Sequence, residues 1–169
     1  KLKLTTRDCA DFEELMDIRM KALRQNNISY KRIVNFVQKI EPFEGAKSFL
    51  NSIRNDYQII IVSDAFYQIA LPVVKKLGDF PILCHSLKIE NDKIVGFKKR
   101  QEHPKKSVVQ GFKSMNFECF CIGDSFNDIQ MIDESDGAFI FAPPEVKERR
   151  PKIPAFEDYE CLKKYITNE

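Results

Sequence analysis

Long hydrophobic runs and an excess of either charge are both missing from this sequence of 169 residues. No apolar stretch approaches the ~20 residues that a membrane-spanning helix needs, and no signal peptide is recognisable. Lys and Arg total 27 against 25 Asp and Glu, and the two signs are interspersed, which leaves a net charge of +2. These absences argue against a membrane or a nucleic acid as the main partner.

Paired cysteines of the kind that bind zinc are missing as well. The sequence has five cysteines, an odd number, and none of them forms a Cys-x-x-Cys pair. Zinc sites usually rely on such closely spaced ligand pairs. We therefore expect buried free thiols in a reducing cytoplasm. The residues concerned are Cys9, Cys84, Cys119, Cys121 and Cys161.

Helical and strand patterns alternate through most of the chain. Continuous apolar runs at 59–62 and 117–122 are typical of buried parallel strands, and segments 82–89 and 93–98 predict a hairpin joined at Asn91-Asp92. The alternation predicts an α/β fold with a Rossmann-like parallel sheet, whose sites lie at the carboxyl ends of the strands. Further helices are predicted at 46–54, 66–77, 104–115, 127–134 and 158–167, a further strand at 138–141, and loops around Pro143, Pro144, Pro151 and Pro154.

The first part of the chain is predicted to be a helical cap subdomain (residues 1–41) that precedes an α/β core (residues 42–169). Residues 8–26 have the pattern of an amphipathic helix, and Ser29 can cap a second helix. Arg19 lies on the apolar side of the first helix. Either its stem packs there while its head stays in water, or its charge points into a pocket that binds an anion.

The stretch from Gly123 to Asp128, Gly-Asp-Ser-Phe-Asn-Asp, directly follows a hydrophobic strand. If a helix starts within it, Asp124 and Asp128 can face one point, and hard carboxylate oxygens at one point suit Mg²⁺. The amides at a helix N-terminus would add donors for an anion. The alternative is a polar turn in which Asp124 or Ser125 caps the helix.

Two single residues are further candidates for binding phosphate. Ser63 follows an apolar strand, where a hydroxyl and the next amides can bind phosphate oxygens, although a capping serine is more common. Lys105 follows His103-Pro104 and falls in the first turn of a helix, where a cation opposes the helix dipole. Its unfavourable position suggests anion binding, and a plain surface lysine is the alternative.

Ser63, Lys105 and the stretch from Gly123 to Asp128 occur in an order that resembles the second, third and fourth motifs of the haloacid dehalogenase superfamily. Within that superfamily the chain looks most like the phosphoserine phosphatase group, in the branch that also transfers phosphate to homoserine. The resemblance covers nearly the whole chain. It is also carried by Thr5-Thr6-Arg7-Asp8, Ser63-Asp64-x-Phe66-Tyr67, Leu83-Cys84-His85 and Pro104-Lys105.

The resemblance implies a Mg²⁺-dependent enzyme that hydrolyses a small phosphomonoester such as O-phosphoserine through an aspartyl-phosphate. Ser63 and Lys105 would hold the transferring phosphoryl group, and Asp124 would be a ligand of Mg²⁺. Asp128 would support both the metal site and Lys105. Arg19 would meet the substrate carboxylate, which favours the functional interpretation of this residue. The other substrate contacts implied are Phe12, Asp64 and Asn127.

The first motif of the superfamily has no match in this sequence. That motif, Asp-x-Asp or Asp-x-Glu on a central strand, supplies the nucleophile and the acid–base carboxylate. Lys1-Leu2-Lys3-Leu4 is not that motif, and the matching region begins within the cap. We therefore expect the natural protein to carry this strand upstream. Without it, the strands near Ser63 and Asp124 would flank a slot with exposed edges.

Two other classes of protein stay open. One is a non-enzymatic binder of phosphate or phosphoserine that has lost its nucleophile. The other is a flavodoxin-like signalling module, which would need neither Lys105 nor a cap. The sequence also leaves open whether water or homoserine accepts the phosphate, and whether the protein is a homodimer.

Overall fold

A computed structural model describes residues 12–100 and 102–168. Within these residues, no helix is both long enough and apolar enough to cross a membrane. A 3₁₀ turn at Phe126–Asp128 precedes α6. The helices and strands in chain order are α1 (Phe12–Gln25), α2 (Tyr30–Val37), α3 (Ala46–Ile53), β1 (Ile61–Phe66), α4 (Tyr67–Leu77), β2 (Ile82–Glu90), β3 (Lys93–Lys98), α5 (Pro104–Ser114), β4 (Phe120–Gly123), α6 (Ile129–Asp133), β5 (Asp136–Ile140), α7 (Pro144–Arg149), β6 (Ala155–Phe156) and α8 (Tyr159–Thr167).

The described strands form two three-stranded sheets. In the first sheet β1 pairs with β2 in parallel, and β2 pairs with β3 as the predicted antiparallel hairpin. In the second sheet β4, β5 and β6 are all parallel. Within the described residues, β1 and β4 are edge strands that each pair with one neighbour only. Ser63 lies in β1 and Asp124 directly follows β4, so both open edges lie next to predicted site residues. The predicted α/β fold with parallel strands is confirmed.

Strand β1 differs from its prediction. It starts at Ile61 and continues through Ser63 and Asp64 to Phe66, whereas the apolar run predicted a strand at 59–62. Its register with β2 shifts after Val62. The next pair is Phe66 with His85, so four residues along β1 correspond to only two residues along β2. Such a bulge redirects side chains near a sheet edge. Ser63 and Asp64 therefore lie within a distorted strand, not beyond its end.

Three of the four prolines near the carboxyl terminus, Pro143, Pro151 and Pro154, lie in loops as predicted, but the prediction is wrong for Pro144. Pro144 occupies the first turn of α7, where its missing amide hydrogen costs nothing and its fixed φ suits the helix. After α7 the chain returns to the sheet, because Ala155 and Phe156 pair in parallel with β5. Proline thus marks the start of a helix here.

Strand β5 runs through the centre of the second sheet and is buried on both faces. Ala138 and Phe139 are both fully inaccessible to solvent. Phe139 packs in a cluster with Val146 of α7, while Ala138 packs in another with Leu162 of α8. This two-sided burial is characteristic of a parallel strand covered by helices. Because β4 pairs with this buried strand, the position of β4 and of the polar turn after it is fixed.

The first two helices pack on the β2–β3 hairpin. Leu15, Met16 and Met20 of α1 are buried in one cluster with Leu87 and Ile94 of the hairpin. The predicted N-cap of α2 is confirmed, because the Ser29 side chain accepts a hydrogen bond from the amide of Arg32. The first helix of the predicted cap therefore packs through apolar side chains against the β2–β3 hairpin.

The turn of that hairpin also binds α2 directly. Asn91 and Asp92 both have positive φ angles, 47° and 63°, as a two-residue hairpin turn requires. The backbone O of Asp92 accepts from the amide of Tyr30 at 2.8 Å, and its Oδ1 accepts from the amide of Lys31 at 2.7 Å. These bonds satisfy amide groups that the first turn of a helix leaves without partners.

The four described cysteines are all free thiols. Cys121 is buried, as predicted, but Cys161 is exposed on α8, so burial is not common to all of them. Cys9 lies outside the described residues.

Two glycine substitutions test this packing. A Cβ added at Gly137 would lie 2.6 Å from the backbone O of Cys121 in β4, so β4 would have to shift. We expect Gly137→Ala to lower the free energy of unfolding by about 2 kcal/mol. A Cβ added at Gly111 in α5 meets nothing within 4 Å, and Gly111→Ala should raise that free energy by about 0.5–1 kcal/mol. Urea denaturation measures both, and a harmless Gly137→Ala would contradict the close approach of β4 and β5.

Candidate active site

Polar side chains from β1, from the start of α5 and from the turn after β4 converge at one point. Lys105 Nζ lies 2.7 Å from Asp128 Oδ1 and 3.6 Å from Asp64 Oδ2. Asn127 Nδ2 donates a hydrogen bond to Asp64 Oδ2 at 3.1 Å. Four of the residues selected from the sequence are thus brought into contact, although they come from three separate segments of the chain.

Asp128 organises the turn that follows β4. Its Oδ2 accepts hydrogen bonds from the amides of Asp124 and Ser125, at 3.1 and 3.0 Å, and from Ser125 Oγ at 2.8 Å. Ser125 in return caps the 3₁₀ turn, so the capping interpretation of this stretch is correct and coexists with the site. A Cβ on Gly123 would lie 2.3 Å from the Cβ of Asp128. Only glycine leaves room for the Asp128 side chain there.

The ion pair of Lys105 and Asp128 is largely buried, with 13% and 8% of the two side chains exposed. Burial alone would raise the pKa of Asp128, but the Lys105 charge and the bonds from Ser125 outweigh it, so this pKa lies below its usual value. Burial would lower the pKa of Lys105, but Asp128 and Asp64 outweigh it, so this pKa is raised. Both groups are therefore charged at neutral pH. The two carboxylates also explain how a cation is tolerated in the first turn of α5.

Asp124 directly follows β4 and is exposed to solvent on part of its surface. Its pKa is raised, first by the desolvation of its carboxyl group and then by the negative charge of Asp128. A cation beside Asp124 would relieve that repulsion. The described residues contain no cluster of three or more His, Cys, Asp or Glu side chains that could enclose an ion. Mg²⁺ commonly uses only one or two protein carboxylates, with waters and phosphate oxygens as its other ligands, so the donors present fit Mg²⁺.

Ser63 sits half-buried in the bulge of β1. Its Oγ accepts a hydrogen bond from the amide of Ala65 at 3.1 Å, which fixes the side chain in the turn. The hydroxyl hydrogen stays available for an acceptor, because this bond uses only a lone pair of the oxygen. Ser63 does not cap α4, whose N-cap is Phe66, so the alternative of a capping serine is wrong. Its contact with phosphate stays a prediction.

A cavity of about 370 Å³ opens beside the ion pair. Phe12, Asp64, Lys105 and Asn127, all selected from the sequence, are among the residues that line it, and their roles toward a substrate stay predictions. Ser63 and Asp124 do not belong to this lining. Arg19 is also outside it and lies exposed on α1, so its substrate role stays a prediction.

The lining also includes residues that were not selected as site residues from the sequence, among them His85 and Lys99. His85 is only 2% exposed and sits on β2 in register with Phe66. Residues 85 and 87 are the fully buried positions of β2, so a histidine at an inward position of an alternating strand was the available signal. Lys99 follows β3, and no sequence pattern separates it from other basic surface residues.

Comparisons with known proteins identify the family of this chain. The profile of the haloacid dehalogenase-like hydrolase family matches residues 1–133. The chain is 37% identical over 165 residues to phosphoserine phosphatase ThrH of Pseudomonas aeruginosa, covering 96% of this chain and 80% of that protein. It is 36% identical over 165 residues to a phosphoserine phosphatase of Pseudomonas syringae pv. tomato, covering 96% of this chain and 70% of that protein.

Solved structures share the fold. A phosphoserine phosphatase in apo form superposes with a TM-score of 0.69 and 19% identity, covering 95% of this chain and 88% of that chain. A phospho-aspartyl intermediate analogue of phosphoserine phosphatase gives a TM-score of 0.68 and 20% identity, covering 83% of this chain and 70% of that chain. At this level of identity the likeness concerns the fold alone, and it agrees with the α/β architecture.

Acid should destabilise the protein through Asp128. Its folded-state pKa lies below its usual value, so the stabilisation is present above the unfolded pKa of about 3.9 and is lost as the pH falls through the folded pKa. Asp128→Asn should lower the free energy of unfolding at neutral pH by about 3 kcal/mol, because it leaves Lys105 buried without its nearest counter-charge. Urea denaturation from pH 7 downwards should therefore show a steeper loss below about pH 4 in the wild type than in Asp128→Asn. If the free energy of unfolding falls equally with pH in the wild type and in Asp128→Asn, the lowered folded-state pKa of Asp128 is contradicted.

Proposed function

Because this chain belongs to the haloacid dehalogenase-like hydrolase family, we propose that it acts as a phosphoserine phosphatase. The proposed reaction is the hydrolysis of O-phosphoserine, a small phosphomonoester, through an aspartyl-phosphate, and it would take place in the cytoplasm on the route to serine. The observation that carries the proposal is the buried Lys105–Asp128 pair next to Asp64, at the edge of a cavity that several cations line.

The residues of this chain would act by position and charge. Lys105 stays protonated between two carboxylates, so its ammonium can also neutralise the oxygens of a phosphoryl group. Ser63 would donate its hydroxyl hydrogen to one of those oxygens, since its Oγ is fixed by the amide of Ala65. Asn127 lines the cavity beside Asp64 and would contact phosphate or substrate. Phosphoryl transfer depends mainly on such positioning and electrostatic stabilisation.

Asp124 would hold Mg²⁺ at the end of β4. Asp128 fixes the backbone of this turn through the amides of Asp124 and Ser125, so the Asp124 carboxylate starts from a rigid base. Bound Mg²⁺ would supply positive charge beside the phosphoryl oxygens.

The nucleophile belongs, in this proposal, to a strand between β1 and β4. Both strands have an unpaired side within the described residues, and bonds between Asn127 and Asp64 bring their polar ends together. A strand pairing with both would join the two sheets and place its own end beside Lys105. The interpretation of residues 1–41 as a cap, and of residues 42–169 as a core without its first strand, is part of this proposal.

Water would be the usual acceptor of the phosphoryl group, and homoserine a second one. The second acceptor rests on the resemblance to the phosphotransferase branch of the group, which shares Asp64 after Ser63. The two acceptors are distinguished by adding homoserine to the phosphorylated enzyme and testing for O-phosphohomoserine by mass spectrometry.

Phosphate release from O-phosphoserine by the product of the whole gene tests the function. We expect release that requires Mg²⁺, and we expect Lys105→Ala to lower kcat/KM by at least about a hundredfold, because it removes the cation nearest the phosphoryl group. Asp124→Asn should lower activity strongly and raise the Mg²⁺ concentration needed for half-maximal release, because a ligand of the metal is lost. Lys113→Ala, which removes the same charge at the other end of α5, is the matched control and should be near wild type.

If the product of the whole gene releases no phosphate, the hypothesis of an enzyme is rejected. A non-enzymatic phosphate-binding protein is then the remaining hypothesis. Unchanged activity of Asp124→Asn would reject the metal ligand alone.

Arg19→Ala tests the proposed contact with the substrate carboxylate. The variant should raise KM for O-phosphoserine about tenfold, since a hydrogen bond to a charged group is lost. KM for a phosphate ester without a carboxylate should stay the same. Steady-state kinetics with both substrates provides the measurement, and equal effects on the two would show that Arg19 is only a surface residue.

A further inference from the structure

His85 is a buried polar residue without a role in the site described so far. It is 2% exposed and sits on β2. Its ring lies 5.0 Å from that of Phe12 and 6.2 Å from that of Phe66, centroid to centroid. Its Nδ1 accepts a hydrogen bond from the backbone amide of Arg100 at 3.0 Å. Two aromatic rings and one backbone bond therefore fix the orientation of the imidazole.

The backbone bond also determines which nitrogen carries the proton. A neutral imidazole that accepts at Nδ1 must donate at Nε2. Burial lowers the pKa of His85, the charges of Arg100 and Lys99 lower it further, and Asp64 opposes them, so the ring is neutral at physiological pH. The bond from the Arg100 amide occupies Nδ1, which leaves Nε2–H as the donor of the ring. Because His85 is among the residues that line the cavity, Nε2–H is the group of this side chain that can donate to a ligand there.

The surroundings indicate what that donor would bind. Lys99 also lines the cavity, and its Nζ lies 5.9 Å from the centre of the Phe12 ring, which the His85 ring approaches to 5.0 Å. Lys99 pairs with Glu102 at 2.8 Å, and Glu102 is largely exposed, so this ion pair contributes little. A neutral N–H and an ammonium that both lie near the Phe12 ring suit a carboxylate. The phosphate is assigned to Lys105, which leaves this second position for the second anionic group of an amino-acid phosphate.

We propose that His85 is a specificity-determining residue whose Nε2–H donates a hydrogen bond to the α-carboxylate of the substrate, with Lys99 as the neighbouring cation. This assignment rests on the proposed phosphoserine phosphatase function. It adds to the role proposed for Arg19, because a carboxylate has about four acceptor positions and can bind several donors.

Two substitutions separate the two nitrogens of His85. His85→Asn keeps an acceptor near the position of Nδ1 for the amide of Arg100 and removes the donor at Nε2. His85→Gln places an amide donor near the position of Nε2 and gives up the acceptor. Circular dichroism and the thermal midpoint of each variant establish that the chain is folded before any binding is measured.

Binding is then measured by calorimetry without Mg²⁺, so that the substrate is not hydrolysed, with O-phosphoserine and with O-phosphoethanolamine, which has the same phosphate and ammonium but no carboxylate. The wild type should bind O-phosphoserine more tightly. His85→Asn should weaken that binding by at least about tenfold, the effect of a lost bond to a charged group, and should leave O-phosphoethanolamine unchanged. His85→Gln should retain most of the preference.

Other outcomes overturn the proposal in distinguishable ways. If the wild type binds both esters equally, or if His85→Asn weakens both equally, His85 does not bind the carboxylate, while the phosphate site stands. If the wild type binds neither ester, and Lys105→Ala changes nothing, the proposed function fails and the assignment of His85 fails with it. If Lys99→Ala removes the preference and His85→Asn does not, the carboxylate depends on Lys99 alone.

Discussion

The contact between Lys105 and Asp128 joins elements that are far apart in the sequence, because 23 residues separate the start of α5 from the turn after β4. Each charge is costly to bury by itself, and each is stabilised by the other and by further polar groups around it. Lys105 also reaches Asp64 in β1, so one ammonium connects both sheets. This connection brings Asp64, Lys105 and Asp128 together at one point.

The same contact accounts for features that would otherwise be unfavourable. A lysine in the first turn of α5 opposes the helix dipole, and a glycine at the end of β4 gives up side-chain packing. Both are tolerated because the carboxylate of Asp128 occupies the space that Gly123 leaves and compensates the charge of Lys105. The open edges of β1 and β4 lie next to this pair, so the polar connection holds the ends of two strands together without a ladder between them.

The parts of the fold that follow local rules could be predicted from the sequence. The cap of α2 at Ser29 and the hairpin turn at Asn91-Asp92 depend on nearest neighbours, and both are where the pattern placed them. The end of β1 could not be predicted, because the bulge that carries it through Ser63 is set by its register with β2. His85 was missed for a related reason. His85 occupies an inward-facing position on its strand. It becomes part of a cavity lining only because Phe66 of β1 and Phe12 of α1 pack beside it, and those contacts come from other segments of the chain.

The two ends of the cavity solve different problems. At the phosphate end a full charge is required, and two carboxylates keep Lys105 protonated. A permanent charge such as that of Lys99 at the other end attracts any anion, including a second phosphate. A neutral donor in a fixed orientation attracts anions less, yet it is left without a partner when the ligand lacks an acceptor, and this loss is what discriminates between related substrates. Selectivity for an amino-acid phosphate would then come from the rigid, uncharged imidazole between Phe12 and Phe66, while affinity for phosphate comes from the ion pair.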